Sequence, residues 1–325
     1  MFKNVMVYRI GPAWSPSLEQ IEASLDKHRF VECGASQEMS LGWSEPRGEA
    51  HGPLAESVGG QWILKLSIES KSVPASVIKR KAAERLQEIE ATTGRKPGKK
   101  ESKEIQEDVK QSLLPMAFTK RSSVLVWIDP ASRTLVIDAG SQGRADEVIS
   151  NLVKAIDGFS VMQINTQLSP AAAMAEWLTT QEAPAGFSID RECELKAADE
   201  SKSVVKYARH ALDIEEVRQH VAEGKIPTKL ALTWEGRVSF MLTEGLQVKK
   251  IAFLDGVFDG PSQGQQEKED GFDADAAIAT GEMQQLIPAL MLALGGEVEI
   301  GVAAPKDEAT PEAPATAAEP AEAPF

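Results

Sequence analysis

Between Lys229 and Leu254 the chain lays down three short apolar runs, Lys229–Trp234, Val238–Leu242 and Val248–Leu254, with Glu235-Gly236 in the first gap. Runs of this length separated by turn residues read as a three-stranded meander, the strongest β signal in the sequence. A pattern of two strands and then a helix also follows residue 124. With long helical stretches between, the chain reads as α+β with mixed sheets, and no fixed-period repeat makes it a solenoid.

The remaining elements follow from periodicity. Phe2–Ile10 alternates like a half-buried strand, and Ser17 with Gln20 forms a capping box ahead of a helix bearing Leu18, Ile21 and Leu25. A loop rich in Gly, Pro and Glu, LGWSEPRGEAHGPL, precedes a strand at Gln61–Ile68. Pro74 opens a helix that Gly94 closes, and a second helix runs from about Lys99 to the proline at 115. Val124–Asp129 and Leu135–Asp138 form a hairpin, and a helix carrying Val148, Leu152 and Ile156 follows. Further on, Ser169–Thr180 is helical, Phe187–Leu195 and Val204–Arg209 are extended, and Asp213 with Glu216 makes a second capping box. A polar linker at 256–271 leads to a final helix from about Asp273 to Leu294, with Ile278, Leu286, Ile287 and Leu290 on its apolar face and a kink at Pro288.

The 325 residues suggest roughly two domains' worth of core. Residues 1–70 plus 124–165 read as an N-terminal α+β region, 71–123 as a helical basic arm, and 166–298 as a C-terminal α+β region. Residues 299–325, mostly Ala, Pro, Glu and Thr, cannot offset ordering entropy by burial and read as a disordered tail. Cys33 and Cys193 form no disulfide framework and no zinc spacing, which points to a reduced cytosolic compartment. No apolar run is long enough to span a bilayer, and the first residues lack the form of a signal peptide.

Charge is distributed unevenly. The whole chain is −14, yet Lys79 to Arg121 holds twelve Lys and Arg against seven acids. Positive charge gathered in one place on an acidic chain points to a local anionic partner. At about 100° per residue, Lys99, Lys103 and Lys110 fall in one arc of the second helix. Ile105, Val109 and Leu113 take another arc, and Glu101, Glu104 and Asp108 the far side. Charges sorted by sign leave a lysine row able to face phosphates, whereas interspersed ones would pair within the helix. Lys79, Arg80, Lys81 and Arg85 of the first helix scatter around its faces and fit a solvated exterior as well. The candidate phosphate contacts are Lys79, Arg80, Arg95, Lys96, Lys99, Lys100, Lys103, Lys110, Lys120, Arg121 and, outside the arm, Arg209.

Catalytic motifs are weak. Gly94–Lys100 resembles a phosphate loop but is one residue short, lacks the magnesium-binding Ser or Thr and follows a helix. Gly260-Pro261-Ser262-Gln263-Gly264 matches a nucleophile elbow literally but has polar linker on both sides. His28, His51, His210 and His220 show no metal-ligand spacing. Asp273, Asp275 and Glu282 are the one set that could serve a metal-dependent nuclease; the alternative is acids complementing a helix dipole. No cofactor, metal or enzymatic activity is expected.

Several stretches occur in order along the chain: FKNVMVYRI near the start, CGASQ at 33–37, LGW at 41–43, PASVIK at 74–79, LLPMAF at 113–118, WID at 127–129, TKLALTW at 228–234, and FDAD with TGE at 272–282. Together they resemble the RdgC family of bacterial recombination-associated proteins. The resemblance runs from Phe2 to about Glu297. It implies a nucleoid-associated, cytoplasmic protein that binds double-stranded DNA with little sequence preference. It implies a homodimer closed into a ring by two contacts, with DNA in the hole, and restraint of RecA-mediated recombination. Phe118 matches an aromatic of the dimer-closing contact, although a large aromatic could equally be core. Met116 stands where the family pattern implies Arg, and Arg209 and His210 fall near the implied second closure. A module that docks on RecA itself is a further alternative.

Overall fold

A computed structural model describes residues 1–257 and 268–298. The expected tail at 299–325, Gly260–Gly264 and most of the expected linker lie outside the described residues. The N-terminal half contains β1 (Val5–Ile10), α1 (Leu18–Asp26), β2 (Met39–Ser44), β3 (Ala55–Val58), β4 (Gln61–Lys71), α2 (Ala75–Thr93), α3 (Lys99–Leu113), β5 (Thr119–Asp129), β6 (Thr134–Asp138), α4 (Gln142–Ala155) and β7 (Val161–Gln163). It continues with α5 (Pro170–Thr180), β8 (Phe187–Ala197), β9 (Val204–Ala208), α6 (Glu215–Ala222), β10 (Lys225–Trp234), β11 (Val238–Thr243), β12 (Val248–Phe253) and α7 (Lys268–Ala293). The fold is mixed α+β.

All twelve strands join one sheet in the order β2-β4-β5-β6-β1-β12-β11-β10-β8-β9, with β3 on β4 and β7 on β1 off that path. Every ladder is antiparallel. The expected N-terminal and C-terminal regions meet where β1 pairs β12 at Val5 and Val248, and Ile251 N–H donates to Lys3 O at 2.9 Å.

Strand alternation divides the core in two. Along β1, Val5 and Val7 enter one apolar cluster while Met6, Tyr8 and Ile10 enter the other. Ile63 and Trp127 join the first, and Leu64, Val126 and Ile128 the second. The second cluster lies under α1 and α4, through Ile21, Leu25, Val148 and Leu152. The first lies under α5 and α7, through Met174, Trp177, Met283 and Leu286. A strand covered on both faces needs no alternation, which is why VLVWI in β5 reads as an unbroken apolar run.

Most expected elements are present, and the differences have physical causes. The capping box of Ser17 and Gln20 forms in both directions. The second box does not: α6 starts at Glu215 with Ile214 as N-cap, leaving Asp213 one position outside. Buried Leu212 and Val217, with Ile214 against the same core, set the helix start by packing. LGW at 41–43 belongs to β2, not a loop, because Trp43 is 1% exposed and the strand pairs with β4 over its whole length. Gly42 is required there: a Cβ would stand 2.4 Å from Phe30 Cα, where the preceding segment crosses the strand. α7 begins at Lys268 and continues through Pro288. Its buried stripe uses Ala276, Ala279 and Met283 with Leu286 and Leu290, while Ile278 is half-buried beside it.

Candidate nucleic-acid interface

The long β4–β5 pair is the stem on which the basic arm stands. The two strands are in register from Trp62–Ile128 out to Lys71–Thr119. β5 therefore starts five residues earlier than the apolar run at Val124, and its first five positions are exposed. Lys120 and Arg121 lie on this outer strand and not in a turn before it. α2 and α3 occupy the chain between the two strand ends.

The arm folds around its own small core. Ile78, Ala82, Leu86 and Ile89 of α2 pack against Ile105, Val109 and Leu113 of α3. Gly94 ends α2 at φ 70°, a conformation that costs glycine little. At the far end, Leu114 is fully buried in a 3-10 turn at Leu114–Met116. Met116 and Phe118, beside it, are 72% and 94% exposed. The core reading for Phe118 is thereby overturned, since its ring has almost no protein against it.

Ten of the eleven candidate DNA contacts lie on this arm and stem. Lys79, Arg80, Lys96, Lys99, Lys100, Lys103 and Lys120 are exposed. Three others are engaged. Arg95 bonds Glu101 at 3.0 Å, and Arg121 meets Glu32 at 2.7 Å and Glu69 at 3.5 Å while lying over the Phe30 ring. Lys110 pairs with Glu38 at 2.5 Å and, more loosely, with Glu107. The hydrogen bond to Glu38 holds the Lys110 ammonium above the ordinary lysine pKa. So the lysine row of α3 is not uniform: Lys99 and Lys103 face solvent, and Lys110 ties the arm to the body.

Arg209 lies elsewhere. It follows β9 at φ 57° and borders a cleft of about 270 Å³ with Asp190, Arg191, Glu192 and Lys250. β9 is the edge strand seven places from β5 in the sheet, roughly 34 Å at the usual strand spacing. His210 is exposed, with Nδ1 2.7 Å from the Ala211 carbonyl.

The acids of the nuclease alternative do not converge. Asp273 bonds Arg47 at 2.6 Å, Glu282 bonds Arg237 with Nε 2.9 Å away, and Asp275 is exposed. Among the described residues, no group of three acid, His or Cys side chains is arranged to hold a metal ion. Burial pushes the Cys193 thiol up to about 12, far from a nucleophile's range. No helix among the described residues is long and apolar enough to cross a membrane.

One polar surface escaped the sequence reading. Lys65, Ser67 and Glu69 sit on the same face of β4, beyond the apolar Ile63, and a cleft opens there at the root of the arm. Its signal was present as the alternation of these residues with Leu64, Leu66 and Ile68.

Residues 1–297 match a family model described as "Putative exonuclease, RdgC". A "Recombination-associated protein RdgC" of Dechloromonas aromatica (strain RCB) is 45% identical over 300 residues, covering 91% of this chain and 98% of the relative. Proteins with the same description from Janthinobacterium sp. (strain Marseille) and Bordetella pertussis (strain Tohama I) are each 42% identical, covering 92% of this chain and 99% of theirs. A family-model match over residues 1–297, together with relatives at this identity over nearly their full lengths, means that the chain belongs to the RdgC family.

Proposed function

We propose that the protein is a non-catalytic, sequence-independent binder of double-stranded DNA that acts in recombination as a ring-shaped homodimer around the duplex and restrains RecA. The observation that carries this reading is the arm. Exposed lysines Lys99 and Lys103 and the bare ring of Phe118 share one small unit at the end of a two-stranded stem. Phosphate contacts by such lysines supply affinity without reading bases. The aromatic offers an apolar anchor for a second copy of the chain. Arg209, at the distant sheet edge, suits the second contact of a ring. The relatives' name, recombination-associated, supports the biological setting.

A titration of duplex binding over salt tests the mechanism. With about four phosphates neutralised per chain, log K falls against log salt with a slope near −3.6 per chain, about −7 for the dimer. A slope near zero, or strong preference for one duplex sequence, contradicts it.

The description of the family model favours a second reading, an exonuclease. Asp273 and Glu282 are each held by an arginine, which argues against them as metal ligands. Incubating linear duplex with magnesium or manganese separates the readings, because binding without loss of nucleotides removes the exonuclease. Docking on RecA is tested with the variants Lys99→Glu, Lys103→Glu and Lys110→Glu. Retained duplex binding with lost RecA restraint favours docking over occupation of DNA.

A further inference from the structure

The cleft at the root of the arm has a volume of about 520 Å³, within the range of small-molecule sites. Its floor is built from three strands in register. Ser44 of β2 lies opposite Lys65 of β4, Ser67 lies opposite Ser123 of β5, and Arg121 lies opposite Glu69. Phe30 and Arg29 form the wall, where the chain crosses above Gly42.

The cations of this cleft are not equally occupied. Arg29 is shared between Asp26 at 2.5 Å and Glu45 at 2.8 Å, which partly offsets the Glu45 carboxylate in the cleft lining. Arg121 is shared between Glu32 and Glu69. Lys65 has only the Pro46 carbonyl, at 3.3 Å, and no carboxylate lies within ion-pair distance of it among the described residues. The hydroxyls of Ser44 and Ser67 are 2.6 Å apart beside it. A partly buried ammonium with no carboxylate in contact is costly, and an anion that accepts from it and from neighbouring hydroxyls lowers that cost.

We propose that this cleft is a phosphate-binding site, in which one phosphate group is held by Lys65 with hydroxyl donors from the serines of β2, β4 and β5. Arg121 borders the same space, its charge already met by Glu32 and Glu69. Burial lowers the pKa of Lys65, against a smaller opposing pull from Glu45, and a bound phosphate would reverse that displacement. A phosphodiester of duplex DNA and the phosphate of a free nucleotide present the same oxygens, so the chemistry of the site is common to both. The site does not require the clamp reading to hold.

The test is calorimetric titration of the full chain with inorganic phosphate, then competition by adenosine monophosphate and by a short duplex. Wild-type protein should bind phosphate saturably. Lys65→Gln should weaken it about tenfold or more, the scale of one charge-assisted hydrogen bond lost. Lys154→Gln, an exposed lysine on α4, should leave it unchanged. Displacement by duplex would identify the DNA backbone as the source, and displacement by the nucleotide alone would identify a free nucleotide. Absence of saturable binding, an adventitious ion only, or equal affinity in Lys65→Gln overturns the proposal. Should that variant fail to fold, wild-type protein decides the matter through the Lys65 side-chain resonance, which must move on addition of phosphate. The double variant Lys99→Glu, Lys103→Glu, if it abolishes duplex binding but leaves phosphate binding intact, would separate this site from the arm.

Discussion

Arg9 in β1 and Glu297, 288 positions further on, share three hydrogen bonds of 2.7–3.0 Å. β1 lies in the middle of the sheet, between β6 and β12. The pair therefore fastens the chain that leaves α7 to the strand that joins the two halves. Val298 N–H donates to the Asn165 carbonyl at 2.8 Å and completes the closure.

The two side chains are 27% and 29% exposed, so their pairing is worth about 1 kcal/mol, the upper part of the range for exposed pairs. Urea unfolding of Arg9→Ala, Glu297→Ala and the double variant should return a coupling energy of that size. A coupling indistinguishable from zero would mean that the bidentate geometry contributes nothing to stability.

Phe118→Ala should leave monomer stability within about 0.5 kcal/mol of wild type, as expected for a side chain that touches almost nothing. In the proposed ring, the same change should shift the mass in sedimentation from dimer towards monomer and reduce retention on closed circular DNA. An unaltered dimer would remove Phe118 from the closing contact.

Glutamate at both Lys99 and Lys103 should lower duplex affinity and flatten the salt slope by about 2 per chain, one phosphate contact being lost for each lysine. Lys110→Gln should act differently. It breaks the tie to Glu38 and loosens the arm, which hydrogen exchange in α2 and α3 would detect. If all three positions behave alike, the division between solvent-facing and body-facing lysines is wrong.

Glu194 provides a pH signature. Burial alone would raise its pKa, but hydrogen bonds from Lys206, Lys229 and Thr228 outweigh it and bring the carboxyl down to about 2. A carboxylate depressed on folding stabilises the native state above its unfolded pKa, and that contribution disappears as pH falls through the folded value. Wild type should exceed Glu194→Gln in stability at neutral pH, and the advantage should shrink between about pH 4.5 and 2. A stability difference independent of pH across that window would contradict the assignment.

Local sequence was enough for elements whose boundaries rest on local chemistry. Ser17 and Gln20 satisfy donors within their own first turn, Gly94 supplies a left-handed cap, and the meander after Lys225 carries its own turns. The apolar stripes of α2 and α3 were legible for the same reason, since their only core is each other. The basic character of the arm also follows from sequence, because charge does not depend on contacts.

Tertiary structure decided everything that depends on partners distant in the chain. α6 starts at Glu215 because Leu212 and Val217 are drawn into a core built by other elements, which outweighs the Asp213 cap. Trp43 turns an apparent loop into a strand by burial against residues it meets only after folding. Phe118 and Trp127 are both large aromatics within ten residues, yet one is 94% exposed and the other 1%. Their difference arises because Trp127 packs into the core that α7 shares with the sheet, while no described residue covers Phe118, just beyond the outer end of β5. The lysine row divides for a similar reason: Glu38, seventy-two positions before Lys110, stands within its reach, and periodicity along one helix carries no record of that.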